Sequence, residues 1–236
     1  MKAIFRREVN AYFSTMPGYM FMGVFLLISG YLFTQNSLIG GYANLTAILS
    51  GILFVTLLIT PLLTMRLLAE EKKNRTDRLL LTSPVTITAI VLGKFFAACF
   101  VFFVTLLITA VYPVIMAIFG NPYIGEILLG YLGFLLIGGC LVAVGMFISA
   151  LSENQLTAAV STIGLLLLIR LMEMVVPQIK KGILHTVLSG VSLFSHFAPF
   201  KTGILSIASV LYFISFMLVF LYFTGYIIQK RRRAKG

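Results

Sequence analysis

Six apolar runs, each near the length a helix needs to cross a bilayer, constrain this chain more than anything else in it. They cover 17–34, 45–68, 95–119, 127–151, 156–176 and 204–228. A spanning helix takes about 20 mainly apolar residues, because the hydrocarbon layer is about 30 Å thick and each residue rises 1.5 Å. Backbone amides find no water at that depth, so only helices and closed barrels can cross. None of the runs alternates with period two, which argues against a barrel. The expected fold is therefore all-α and integral to the membrane, one domain over 1–236 with six transmembrane helices. A soluble core is excluded by composition, since 60% of residues are hydrophobic and 11% charged where soluble domains carry about 25% charged residues.

The charged residues that remain are unevenly placed. With the N-terminus inside, fourteen of the eighteen Lys and Arg fall on the cytoplasmic side. Three stand in 2–7, six in 66–94 and five in 230–235, whereas the opposite side holds Lys180, Lys181 and Lys201, and Arg170 lies within a run. Retention of basic residues inside sets topology, so both termini are expected in the cytoplasm. The same rule accounts for the net charge of +11 without nucleic acid as a partner.

Residues 1–16 place Ile4, Phe5, Val9, Tyr12 and Phe13 near one helix face and Lys2, Arg6 and Arg7 within reach of headgroups. That pattern predicts an amphipathic helix in the membrane interface. The basic tail 229–236 fits an anchor to anionic lipid. On the far side, 177–203 is long and apolar but is interrupted by Gly190 and Pro199. It is expected to form a short helical lid over the outer ends of the spans, with Phe194, His196, Phe197 and Phe200 as its candidate residues.

The stretch 69–94 is a polar interval between two runs, a cytoplasmic loop containing three of the seven acids and five basic residues. Leu79, Leu80 and Leu81 lie inside it, too few to span anything and oddly apolar for solvated chain. Thr76 or Asp77 can open a short helix over these leucines. Ser83-Pro84 is a helix-start signal, because Ser accepts an orphan amide and Pro tolerates the first turn. The run 45–68 is expected to continue as a stem through Glu70 and Glu71 to Asn74. A second stem enters the third span past Lys94. Two readings stand: a basic hairpin that fixes topology, or a docking helix that offers leucines to a partner.

Candidate chemistry is sparse. The phosphate-cradling pattern G-x-x-x-x-G-K-[ST] fails, because Phe95 follows Gly93-Lys94 and Thr88 stands where the first glycine belongs. Glu70, Glu71 and Arg75 match EExxxR, which resembles the first motif of intramembrane CAAX-type proteases. That family's histidine patterns are missing around His185 and His196, and both histidines are expected across the membrane from the glutamates. Arg170 and Glu173, three apart on the fifth span, are candidates for a cavity or subunit interface; a self-neutralising pair near the headgroups is the alternative. Glu153 is expected to cap the start of that span. No metal ligands and no catalytic residues are assigned, and Cys99 and Cys140 are expected to serve packing.

Taken together, EEKKNRTDRLLLTSPVTITAIVLGK (70–94), the six runs and SLFSHF (192–197) resemble ABC-2-type transporter permeases. The likeness is to the branch with gliding-motility and nitrous-oxide-reductase-maturation permeases. Thr76-Asp77 departs from that pattern, where Gly-Thr is common. The resemblance implies a non-catalytic permease subunit, paired with a second permease and driven by ATP-binding cassette subunits that hold ATP and Mg. It implies export as the usual direction, or mechanical and assembly work in the same frame, in a bacterial or archaeal cell membrane. It places the coupling contact on Glu70, Glu71, Arg75, Thr76, Asp77, Leu79, Leu80, Leu81, Ser83 and Pro84.

Overall fold

The computed structural model describes residues 1–39, 45–74, 86–119, 123–175 and 192–235, and every regular element among them is helical. Helix α1 (Lys2–Ser14) leads through Thr15 into α2 (Met16–Phe33), which loosens into a wide turn over Thr34–Ile39. Helix α3 (Leu45–Thr64) and the short α4 (Ala69–Lys73) follow. The third crossing is divided into α5 (Ile87–Ile108) and α6 (Val111–Phe119). Then come α7 (Ile124–Leu151), α8 (Gln155–Val175), the single turn α9 (Ala198–Lys201) and α10 (Ile207–Lys235). Among the described residues, six helices are long and apolar enough to cross a membrane, so the chain is a multi-pass membrane protein, as the six runs require. These six crossings bring the two ends of the described chain to one end of the bundle, called here the terminal end.

Helix α7 is the hub, packed against α3, α5, α8, α9 and α10. Small residues let it serve so many neighbours. A Cβ at Gly145 would meet the Thr64 side chain of α3, and one at Gly133 would lie 2.6 Å from Phe200 Cβ. Where lipid tails are as apolar as the side chains, such close backbone approach and van der Waals packing drive helix association. A line of rings crosses the bundle. Phe25 meets Phe102 at 6.3 Å, Phe102 stacks on Phe134 at 5.8 Å and Phe134 meets Phe197 at 6.3 Å, the offset and edge geometries that ring quadrupoles favour.

Two breaks in the spans have local causes. Pro113 cannot donate to the Thr109 carbonyl; the Tyr131 hydroxyl (2.8 Å) and the Tyr112 amide (2.9 Å) do so instead. A freed carbonyl in a span needs such a partner. Between α3 and α4 the expected continuous stem is interrupted. The amides of Leu68 and Ala69 leave the helical ladder and donate to Ser149 Oγ on α7, both at 3.1 Å, while that hydroxyl donates to Met65 O at 3.2 Å. The start of α8 is capped by Asn154, whose Oδ1 accepts the Thr157 amide at 2.8 Å, and not by Glu153 as expected.

Candidate functional site

At the terminal end, three elements meet on one buried ammonium. Lys94, early in α5, is 2% exposed at its side chain, and its Nζ lies 3.0 Å from Glu8 Oε1 and 2.9 Å from Glu71 Oε1. Arg7 closes the ring, with 2.8 Å to Glu8 and 3.0 Å to Glu71. Helix periodicity brings this about. Ile4, Glu8 and Tyr12 recur every four residues and so share one stripe of α1, and that stripe lies against α5. Ile4 packs on Gly93, the Tyr12 hydroxyl donates to Leu63 O at 2.5 Å, and Glu8 between them reaches Lys94. Burial pushes the Glu8 carboxyl up, but Lys94 and Arg7 beside it more than offset this, and it titrates below its usual value. Burial holds the Tyr12 hydroxyl protonated.

A second set of contacts fixes α4. Glu70 pairs with Arg66 one turn back at 3.2 Å, and Arg66 lies over the Tyr12 ring at 5.2 Å and donates to Thr15 Oγ1. Lys72 Nζ donates to the carbonyls of Ala150 and, at 2.6 Å, Ser152 at the terminal end of α7. Cations at a helix C-terminus complement the partial negative charge of its last carbonyls. The two stems of the 69–94 stretch are thus joined to each other by Lys94 and Glu71, to α1 by Glu8, and to α7 by Lys72 and Ser149.

Of the coupling residues expected from sequence, Glu70 and Glu71 stand in this clasp. Arg75, Thr76, Asp77, Leu79, Leu80, Leu81, Ser83 and Pro84 lie outside the described residues, as does His185. Glu71, expected in a polar cytoplasmic loop, is only 15% exposed at its side chain. Lys94, counted there among loop cations, is a core residue. Glu8 was missed altogether.

At the other end, residues 177–191 of the expected lid lie outside the described residues, and the residues around α9 wedge between helices. Phe197 and Phe200 are fully buried and seat against Gly133, whose added Cβ would lie 3.1 Å from Phe197 and 2.6 Å from Phe200. Gly133 is nine residues into α7, about 14 Å from its start at 1.5 Å per residue. The chain then reverses at Gly203, whose φ of 70° brings it back beside Glu126; a side chain there would be strained. Glu173 Oε1 accepts the Phe194 amide at 2.8 Å, while Arg170 lies 3.5 Å from Glu173 Oε2 and 4.6 Å above the Phe194 ring. His196 stacks on Tyr212 at 3.9 Å and donates from Nδ1 to Ser192 O at 2.8 Å. Arg170 and Glu173 therefore pair with each other and also latch this wedge to α8. No group of His, Cys, Asp and Glu suited to a metal occurs among the described residues.

Compared with known families, residues 29–228 match the one described as ABC-2 family transporter protein. No curated protein matches the chain.

Proposed function

We propose, starting from the fact that this chain belongs to the ABC-2 family of transporter proteins, that it works as an exporter's permease whose 69–94 stretch receives the stroke of an ATP-binding subunit. Membership makes it a membrane-spanning permease subunit and implies an ATP-binding cassette partner in general. The finer reading rests on the clasp. A push on the loop between Asn74 and Thr86 reaches both stems together, because Lys94 holds Glu71 and Glu8 at once. Lys72 and Ser149 carry it to α7. Helix α7 carries it about 24 Å, the rise of 16 residues, from Ser149 to Gly133, where the α9 wedge is seated. The chain performs no catalysis of its own in this reading; ATP and Mg belong to the partner chain, and a second permease completes the pathway. Both termini lie in the cytoplasm, with α1 in the interface. Glu70 and Glu71 are each held by basic side chains, an arrangement unlike a pair free to activate water.

The SLFSHF segment supports a second reading, a permease of the gliding or nitrous-oxide-maturation branch that does mechanical or assembly work. In this structure the segment is the latched wedge at Glu173. Cargo retained on purification separates transport from assembly work.

The test is Leu80→Asp. Burying a leucine in a partner's groove contributes about 1.5–3 kcal/mol, and a carboxylate there adds a desolvation cost. The ATP-binding subunit that co-purifies with the parent from native membranes is expected to fall about tenfold or more, with an unchanged detergent elution profile. Full retention would reduce the loop to a hairpin that sets topology.

A further inference from the structure

A cavity lies on the flank where α1 crosses α5. It has a volume of about 550 Å³ and is walled by Phe5 of α1, by Phe96, Cys99 and Phe103 of α5, and by Leu136 and Gly139 of α7. That is within the range of about 300–1,000 Å³ typical of ligand pockets. Its lining is almost wholly carbon and sulfur. Phe96, Phe100 and Phe103 are each more than a third exposed, so the cleft opens sideways, where a spanning helix meets lipid. From Phe95 to Phe103 its wall rises about 12 Å at 1.5 Å per residue, roughly two turns into the leaflet in which α1 lies.

Two basic residues adjoin this cleft along the chain. Lys2 follows Met1 and Arg6 follows Phe5, both of which line it, and at 3.6 residues per turn Lys2 and Arg6 share one flank of α1. Both are exposed, and among the described residues neither pairs with a carboxylate. Arg7, on the other flank, is taken up by Glu8 and Glu71. A deep apolar slot beneath two uncommitted cations has the chemistry of one lipid class. We propose that the cleft binds an anionic phospholipid of that leaflet, one acyl chain lying between α1, α5 and α7 and the headgroup phosphate held by Lys2 and Arg6. Occupancy braces Phe5 against Phe100, whose rings meet edge-on at 5.8 Å. The lipid thereby supports α1, and with it the Glu8 arm of the clasp. The site depends on the position of α1 and not on the identity of the transported substrate.

The chain contains no Trp, which permits a direct test. Phe103→Trp puts one indole in the cleft of the full chain in nanodiscs, and Val160→Trp puts one on the exposed face of α8. Phosphatidylglycerol or phosphatidylcholine with brominated acyl chains is then titrated against unbrominated lipid, and quenching is read. The position-103 indole is expected to be half-quenched at about thirtyfold lower mole fraction of brominated phosphatidylglycerol than phosphatidylcholine, the scale of two basic side chains at an anionic surface. The position-160 indole should respond equally to both. Adding Lys2→Gln and Arg6→Gln should abolish the preference at 103. Phe96→Trp provides a second reporter should Phe103→Trp not be recovered. Equal quenching by the two lipids in the cleft, or a preference that survives the double glutamine change, overturns the assignment.

Discussion

Lys94→Met isolates the central contact of the clasp. Methionine retains the apolar stem of the side chain and removes the charge. Glu8 and Glu71, 9% and 15% exposed at their side chains, then face each other with Arg7 as their shared cation. Removing one partner of a buried ion pair costs about 3–5 kcal/mol, mainly because the other charge is left uncompensated. Arg7 stays within 3.0 Å of both carboxylates but is itself 57% exposed, so the loss should lie near the lower figure. At about 2–4 °C per kcal/mol for a chain of this size, the melting temperature in detergent is expected to fall by about 6–12 °C. A thiol-reactive dye reads the transition, because Cys140 is fully buried and Cys99 half-buried until the bundle opens. The double variant Glu8→Gln with Lys94→Met leaves one carboxylate to Arg7 and should recover at least half of the loss. A Lys94→Met protein melting within about 2 °C of the parent, less than about 1 kcal/mol on the same scale, would refute the reasoning. So would a double variant whose loss is the sum of the single ones.

Acid should release the same contact in a defined window. The Glu8 carboxyl titrates below its ordinary value of 4.5, so its contribution is complete above that value and is lost as pH falls through the lower, folded one. The melting advantage of the parent over Glu8→Gln should therefore be constant from pH 8 to about 5 and shrink only below that; an advantage already gone at pH 6 contradicts it. Gly133→Ala should displace the wedge, because its Cβ would lie 2.6 Å from both Phe200 Cβ and Cγ, atoms too near the backbone to swing aside. Overpacking costs about 1–3 kcal/mol, and faster labelling of a cysteine at Ser195, with α1–α5 contacts unchanged, would register it. For orientation, cysteines at Asn74 and Gly236 should be shielded from an impermeant reagent in intact cells while one at Lys181 is labelled; labelling at Asn74 inverts the topology.

The six crossings were legible because burial in lipid leaves a one-dimensional trace, an apolar run of fixed length. The clasp was not. Glu8 reads in sequence as another polar residue beside Arg6 and Arg7, and its inward position depends on Lys94, 86 residues away. The available signal was the stripe Ile4, Glu8, Tyr12, which puts a lone acid on an otherwise apolar face. The stem break at Met65–Leu68 was hidden for the same reason, since Ser149 on α7 supplies the acceptor. Arg170 and Glu173 were legible as a pair by their spacing, but the Phe194 amide that completes the latch comes 21 residues after Glu173. Phe197 and Phe200 announced a lid over the outer ends of the spans, and only Gly133 across the bundle determines how deep they sit.

The 86 residues between Glu8 and Lys94 also set an order of events during synthesis. At about 5–20 residues per second, the ribosome reaches Lys94 about 4–17 s after Glu8. Through that interval α1 lacks the ammonium that later holds it, and its carboxylate has only neighbouring arginine and water. The contact between α1 and α5 can form only once the third span has been made. A chain whose third span is late or inverted therefore leaves α1 without its Lys94 contact and the Glu8 carboxylate without the buried ammonium.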